Sequence, residues 1–288
     1  AAENKSVDLK AHPWARRLGC EVLELEADRA VVALPFRDEN CNPGRSLHGG
    51  VHASLCCFAG RLAAGASTDR PVRLLDLSVV YLLPAVGVDL RAEGRVLQRG
   101  KALMFCEVRV CDPQGRTLAC AFTTLAAGEQ SSDSTAERID WRGFIGGVPD
   151  AGPIGRGLGA ASFMGSILEI EHAGSGRAVL RMDARPHVLG DDGSHDPGAL
   201  ATLLDSAGAL ASFSSAPGSF VRAMTPGLQM SFLGPTGGET VVALAHNLGR
   251  SGDLFANSID LVGRSSGRLM ARGLLTYRIV AKPGKRTA

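Results

Sequence analysis

Asn42-Pro-Gly-Arg-Ser-Leu-His48-Gly49-Gly50-Val-His-Ala-Ser-Leu-Cys-Cys57-Phe-Ala decides how this chain is read. A turn-forming run, 42–45, delivers the backbone to His-Gly-Gly, and the glycines open an apolar segment rich in Ala and Leu. That segment reads as a buried helix over about 50–66. The first N–H groups of such a helix have no partner within it. With the positive end of the helix dipole, they can meet a carbonyl oxygen that becomes an oxyanion.

The element recurs. Asp196-Pro-Gly198-Ala-Leu-Ala-Thr-Leu-Leu-Asp205-Ser-Ala lies over His48-Gly-Gly50-Val-His-Ala-Ser-Leu-Cys-Cys57-Phe-Ala at a constant offset of 148, since 196 − 48 and 205 − 57 agree. Upstream, Arg29-Ala-Val-Val and Arg177-Ala-Val-Leu keep the offset. Downstream, with three more residues in the second loop, Leu82-Leu-Pro84-Ala-Val-Gly87 meets Leu233-Gly-Pro235-Thr-Gly-Gly238, and Gly115-Arg-Thr-Leu-Ala119 meets Gly267-Arg-Leu-Met-Ala271. The chain reads as an internal duplication.

In the first repeat, residues 14–18 followed by Gly19 predict a short helix. Residues 21–26 and 30–36 alternate apolar and polar side chains, the pattern of half-buried antiparallel strands. Four more strands are expected after the long helix, over 74–83, 88–98, 102–111 and 117–125. The second repeat follows the same order, with strands at 167–170 and 177–182, a helix over 198–212 and strands across 224–279. Each repeat is an antiparallel sheet with one long apolar helix laid on it, an α+β arrangement. The expected division is an N-terminal repeat over 1–126, a polar and then Gly/Pro-rich linker over 127–154, and a C-terminal repeat over 155–288. Trp141 and Phe144 are expected to pin part of the linker to the surface. Residues 1–11 read as a polar tail and 282–288 as a frayed end.

Composition narrows the function classes. With 288 residues and 45% apolar content there is material for two cores. A net charge of +2, 5% aromatics and no basic stripe give no support to a nucleic-acid partner. No signal-like apolar region begins the sequence, and no apolar run approaches the roughly 18 residues of a membrane span. A soluble cytoplasmic protein with no membrane association is the expectation. All seven cysteines lie in the first half without Cys-x-x-Cys spacing, so they read as small buried residues in a reducing compartment. Asp191, Asp192, His195 and Asp196 match no defined metal spacing and read as a solvated turn, so no metal is expected.

The order Asn42-x5-His48-Gly-Gly-x6-residue 57, then Leu-Leu-Pro84, then Asp112-Pro-Gln-Gly115-Arg-x-x-Ala119 resembles the hotdog-fold acyl-CoA thioesterases, with the phenylacetyl-CoA and hydroxybenzoyl-CoA type the most similar branch. The resemblance covers nearly the whole chain, once per half. It implies a tandem, or double, hotdog: two antiparallel sheets, each wrapped on a long central helix, joined edge to edge and related by a pseudo-two-fold axis. It also implies a catalytic carboxylate nine residues after the motif His, which is Asp205 in the second repeat but Cys57 in the first. The second repeat has Asp196-Pro197-Gly198 where His-Gly-Gly belongs, so neither half carries a full set. A Ser or Thr ten residues before the strand-ending Pro is implied as the carboxylate's neighbour. Thr225 fills that place in the second repeat and Leu74 stands there in the first.

Geometry turns the defect into an expectation. Gly49 and residue 57 are about 12 Å apart along one helix at ~1.5 Å per residue, too far for one thioester carbonyl to bridge. If the helices lie antiparallel about the pseudo-axis, His48 and Gly49 face Asp205 in one composite site. The mirror site then pairs Pro197, which has no N–H, with Cys57 and should be dead. In this reading Asp205 acts as general base or nucleophile, the Gly49 N–H is the oxyanion donor, His48 and Asn42 polarise or position the carbonyl, and Thr225 holds the water. Gly50 belongs to the substrate-binding set. Arg99 and Arg250 occupy matching turns where the resemblance implies contact with coenzyme A phosphates. Each has a purely structural alternative: a helix-to-backbone contact for Asp205, a tight turn for the glycines, a loop cap for His48 and Asn42, and an ordinary strand or surface position for Thr225 and the arginines.

The leading function is an acyl-CoA thioesterase hydrolysing an acyl- or aryl-CoA thioester, with no cofactor beyond the coenzyme A of the substrate. Two alternatives differ in class. A hotdog hydratase or dehydratase would need an Asp-x-Asn-x-x-His run, which this sequence lacks. A degenerate hotdog protein would bind acyl-CoA or a partner without turnover. The acyl group, carrier-protein thioesters as substrates and further pairing of double units into a homo-oligomer all stay open.

Overall fold

The computed structural model describes residues 9–128, 137–148, 162–216 and 220–281. The expected tail over 1–8, the linker residues 129–136 and 149–154, the start of the second repeat over 155–161 and the C-terminal tail lie outside the described residues. The first half comprises α1 (Pro13–Leu18), β1 (Glu21–Glu26), β2 (Arg29–Leu34), α2 (Gly49–Gly65), β3 (Val72–Tyr81), β4 (Leu90–Arg99), β5 (Leu103–Cys111) and β6 (Thr117–Ala127). The second comprises α3 (Trp141–Ile145), β7 (Glu169–Gly174), β8 (Arg177–Met182), α4 (Pro197–Ser215), β9 (Phe220–Phe232), β10 (Val241–Ser251), β11 (Leu254–Gly263) and β12 (Leu269–Ala281).

Local chemistry sets these boundaries. Pro13 starts α1 with its φ already helical, and Gly19 closes it in the left-handed region at φ 87°. β7 starts at Glu169 rather than near 167, because Ile167 and Leu168 turn into the core ahead of the strand. Leu9 is buried, which shortens the expected polar tail at its inner end.

The two expected sheets join edge to edge into one. Among the described residues twelve antiparallel strands run in the order β1-β2-β4-β5-β6-β3-β9-β12-β11-β10-β8-β7. The join is β3 against β9, where Ser78 pairs with Gln229. Those two residues are equivalent positions of the repeats at the downstream offset of 151, so the pseudo-two-fold passes between them. Fusing the sheets satisfies a row of N–H and C=O groups that two separate edges would leave open.

The long helices lie against their own halves, α2 on β2 to β5 and α4 on β8 and β10 to β12. Every residue from Gly50 to Gly60 is buried, which is why α2 is apolar all round. The helices also pack on each other. A Cβ on Gly50 would run into Thr202, and one on Gly198 would lie 2.6 Å from the Ser54 Oγ. Residues 50 and 198, like 54 and 202, are equivalents at offset 148, so α2 and α4 cross antiparallel through small residues that let the backbones approach.

Part of the expected linker is packed. Asp140 caps α3, and Trp141 covers the outer side of the second half's sheet, against Val179, Val242, Leu244, Val262 and Leu269. Its indole N–H donates to the Arg264 carbonyl at 3.0 Å. At offset 151 the first half carries Arg91 and Glu93 in place of Val242 and Leu244. There Arg29 donates to Glu93 at 2.9 Å and Arg91 pairs with Glu24, so that outer face is charged and needs no cover.

Candidate active site

The site begins with the cap of α2. His48 is extended at φ −62° and ψ 141°, and its Nδ1 accepts the Gly50 N–H at 3.0 Å. The His48 N–H donates to the carbonyl of Asn40 at 3.1 Å, and Asn40, fully buried, donates its side-chain amide to Leu18 O at 2.8 Å. Phe163, from the second half, packs on the imidazole with ring centroids 5.3 Å apart. The loop that delivers the helix is therefore fixed from both sides.

Gly49 is the first helical residue. Its N–H has no acceptor among the described residues, and its carbonyl accepts the Tyr81 hydroxyl at 3.0 Å. Above it stands Asp205, from the middle of α4 and 4% exposed. Thr225 Oγ1 donates to Asp205 Oδ1 at 2.7 Å, and Asp205 Oδ2 lies 3.4 Å from His48 Nδ1. A Cβ on Gly49 would fall 2.7 Å from Oδ2, so only glycine leaves room for the carboxylate here. The positive end of α2 meets a negative charge supplied by the other repeat.

Burial pulls the His48 pKa below its ordinary value, with Asp205 opposing, so the imidazole is neutral near pH 7. Burial, with Asp205 adding to it, holds the Tyr81 phenol protonated, well above the usual range. His52, one turn into α2, falls to about 4 through burial.

His48, Gly49, Asp205 and Thr225 come together from four different elements or loops. The other expected site residues do not join them. Asn42 uses its side chain inside its own turn, donating to Ser46 Oγ at 3.0 Å and accepting the Ser46 N–H at 3.3 Å. Gly50 spends its N–H on the His48 cap and its bare Cα on the contact with Thr202. Arg99 is paired with Asp28 at 2.6 Å, whereas Arg250 is exposed near the end of β10. Tyr81, Phe163 and Ser206 were missed by sequence reasoning. Tyr81 directly precedes Leu82-Leu-Pro84 and Ser206 follows Asp205, so both stood beside motifs already singled out; no pattern marked Phe163.

The mirror position is filled differently. Asp196 caps α4 by accepting the Gly198 N–H at 2.7 Å, and its Oδ2 meets Arg61 at 3.0 Å and His12 at 3.5 Å. Burial, then Asp196, pushes the Cys57 thiol well above its normal range, so no thiolate is present there. Among the described residues no group of three or more His, Cys, Asp or Glu side chains could hold a metal ion. His195 instead meets Thr236 Oγ1 at 2.9 Å, and Asp192 accepts the Ser194 N–H at 2.9 Å.

Antiparallel strands and a long helix laid against each half define a double hotdog, and solved structures share it. The chain superposes on a hot-dog-fold protein of unknown function from Alicyclobacillus acidocaldarius with TM-score 0.67, covering 91% of this chain and 97% of that one at 16% identity. A Novosphingobium aromaticivorans protein provisionally described as a thioesterase gives TM-score 0.65 over 91% and 98% at 18% identity. A family model described as Thioesterase superfamily matches residues 44–119. A Saccharolobus solfataricus protein provisionally named an esterase is 32% identical over 108 residues, 37% of this chain and 77% of that protein. The 1,4-dihydroxy-2-naphthoyl-CoA thioesterase 2 of Arabidopsis thaliana is 36% identical over 95 residues, 32% and 60% of the two chains. The chain belongs to the thioesterase superfamily.

Proposed function

We propose that this protein hydrolyses an acyl- or aryl-CoA thioester at one composite site between its repeats. The observation that carries the reading is the Asp205 carboxylate of the second repeat standing against Gly49 of the first, whose N–H meets no acceptor among the described residues. A thioester oxygen on that N–H would gain the helix dipole as charge develops in the tetrahedral intermediate. Asp205, held at Oδ1 by Thr225, then acts through Oδ2 in one of two ways. It attacks the carbonyl carbon and expels the coenzyme A thiolate, leaving an anhydride for water to open, or it takes a proton from a water that attacks directly. Either route gives the free acid and free coenzyme A. Coenzyme A thioesters are the substrate class named for the Arabidopsis relative and for a Listeria monocytogenes 1,4-dihydroxy-2-naphthoyl-CoA hydrolase, 26% identical over 111 residues. Of the two expected phosphate contacts, Arg250 is the better candidate, because it meets no carboxylate among the described residues while Arg99 is held by Asp28.

The test is a panel of aryl-, short- and long-chain acyl-CoA thioesters, followed by free thiol release, with wild type and Asp205→Asn side by side. Turnover of one class by wild type and a loss of at least ~100-fold in the variant is the expected result. A wild type that binds a panel member without hydrolysing any would replace this reading with a binding protein.

A further inference from the structure

Around His48 there are more acceptors than protons. Ser206 Oγ donates its single proton to the Thr202 carbonyl at 2.7 Å, the back-bonded arrangement of a serine inside a helix. The same oxygen lies 3.3 Å from His48 Nε2. With the hydroxyl proton already spent, that contact is a hydrogen bond only if Nε2 carries a proton. At the other side of the ring, Nδ1 accepts the Gly50 N–H and needs its lone pair. Both demands select one neutral tautomer. The mirror half supports the second demand, because there Asp196 Oδ1, which can only accept when ionised, caps Gly198 in the same place. At offset 148 the equivalent of Ser206 is Phe58, which packs edge-on against the His12 ring with centroids 5.4 Å apart and offers it no oxygen.

We propose that Ser206 is the positioning residue that fixes His48 as the Nε2–H tautomer, so that Asp205 Oδ2 receives no proton from the protein. Nδ1 and Oδ2 are then two acceptors 3.4 Å apart, and the pair is not a proton-sharing dyad. Since Thr225 occupies Oδ1, Oδ2 is the oxygen left for chemistry. Without the Ser206 oxygen the ring can carry its proton on Nδ1 instead, donate it to Oδ2 and release the Gly50 cap. The consequence for catalysis rests on the thioesterase reading; the tautomer does not.

The experiment is long-range proton–nitrogen NMR on the full chain labelled with 15N-histidine, without substrate, using His48→Asn to assign the His48 signals. Wild type is expected to show the Nε2–H pattern at neutral pH, and Ser206→Ala is expected to move the His48 signals toward Nδ1–H. On whichever thioester the wild type turns over, Ser206→Ala should lower kcat about tenfold with KM unchanged, equivalent to about 1.4 kcal/mol in the transition state. A wild-type His48 with the proton on Nδ1 or on both nitrogens overturns the proposal, as does a Ser206→Ala spectrum identical to wild type. A wild type inert toward every thioester would sink the thioesterase reading while the nitrogen spectrum still decides the tautomer.

Discussion

Arg61 Nη1 stands 3.0 Å from Oδ2 of Asp196, a contact between the two central helices across 135 residues of sequence. The equivalent positions on the other side of the pseudo-axis are Ala209 and His48, so this ion pair belongs to the mirror position alone. Asp196 is fully enclosed and Arg61 is 32% exposed. Arg61→Ala should therefore cost about 2 kcal/mol, below the ~3–5 for a fully buried pair, because solvent screens part of the attraction and the Gly198 N–H still serves the carboxylate. Urea unfolding measures it. Thioester hydrolysis by the folded variant should match wild type, and a loss of turnover would show that the mirror position takes part in the chemistry.

Gly49→Ala tests the closeness of the two repeats. The new methyl would press on Asp205 Oδ2, and displacing a reacting group by about 1 Å can cost ~100-fold in rate. The expected outcome is a fall in kcat of that order with unfolding only slightly affected. An unchanged kcat would separate Asp205 from the reaction.

Thr225→Val removes the one donor to Asp205 among the described residues while keeping the shape of the side chain. A fall in kcat of about tenfold is expected, the loss of a hydrogen bond to a charged group. Cys57→Ser, at the mirror position, should leave kcat within error of wild type, since its thiol stays protonated. Parallel steady-state kinetics on the two variants decides between the sides.

The buried histidines set an acid limit. His52 has a pKa of about 4 when folded against 6.5 for an unperturbed imidazole, and burial also lowers His48 and His195. Between those values the unfolded chain binds more protons than the folded one. Stability is therefore full above pH ~6.5 and falls as pH drops toward 4, with His52 alone accounting for roughly 3 kcal/mol. The counterpart of His52 in α4 is Leu200, so His52→Leu should flatten the fall without loss at pH 7. Urea midpoints at pH 7 and 4.5 for both proteins provide the comparison, and equal losses would assign the acid sensitivity elsewhere.

What could be read from the sequence was local. His48-Gly-Gly and Asp196-Pro-Gly each lie within one turn and one helix start, so the constant offset exposed the duplication and with it the positions of Gly49 and Asp205. The edge-to-edge join of the two sheets came from the family resemblance and not from the residues, because the β3 and β9 edges carry no mark of what they pair with until both strands are placed. Turn propensity pointed to the loop holding Asn42, but not to the buried amide of Asn40, whose place is set by its bond to the Leu18 carbonyl. Arg61 and Asp196 stand 135 positions apart, where no periodicity reaches. Trp141 was expected to pin the linker, but its seat on Val242 and Val262, over a hundred positions on, was not visible.

Ser78 opposite Gln229 puts the axis of symmetry inside a single polypeptide. In a pair of identical subunits every substitution appears twice, and any loss on one side of the axis is a loss on both. Covalent tandem linkage removes that constraint: the first repeat could give up its carboxylate and the second its glycine, each retaining what the other discarded. The repeats are no longer interchangeable copies, and neither, assembled with itself, would bring Gly49 and Asp205 face to face.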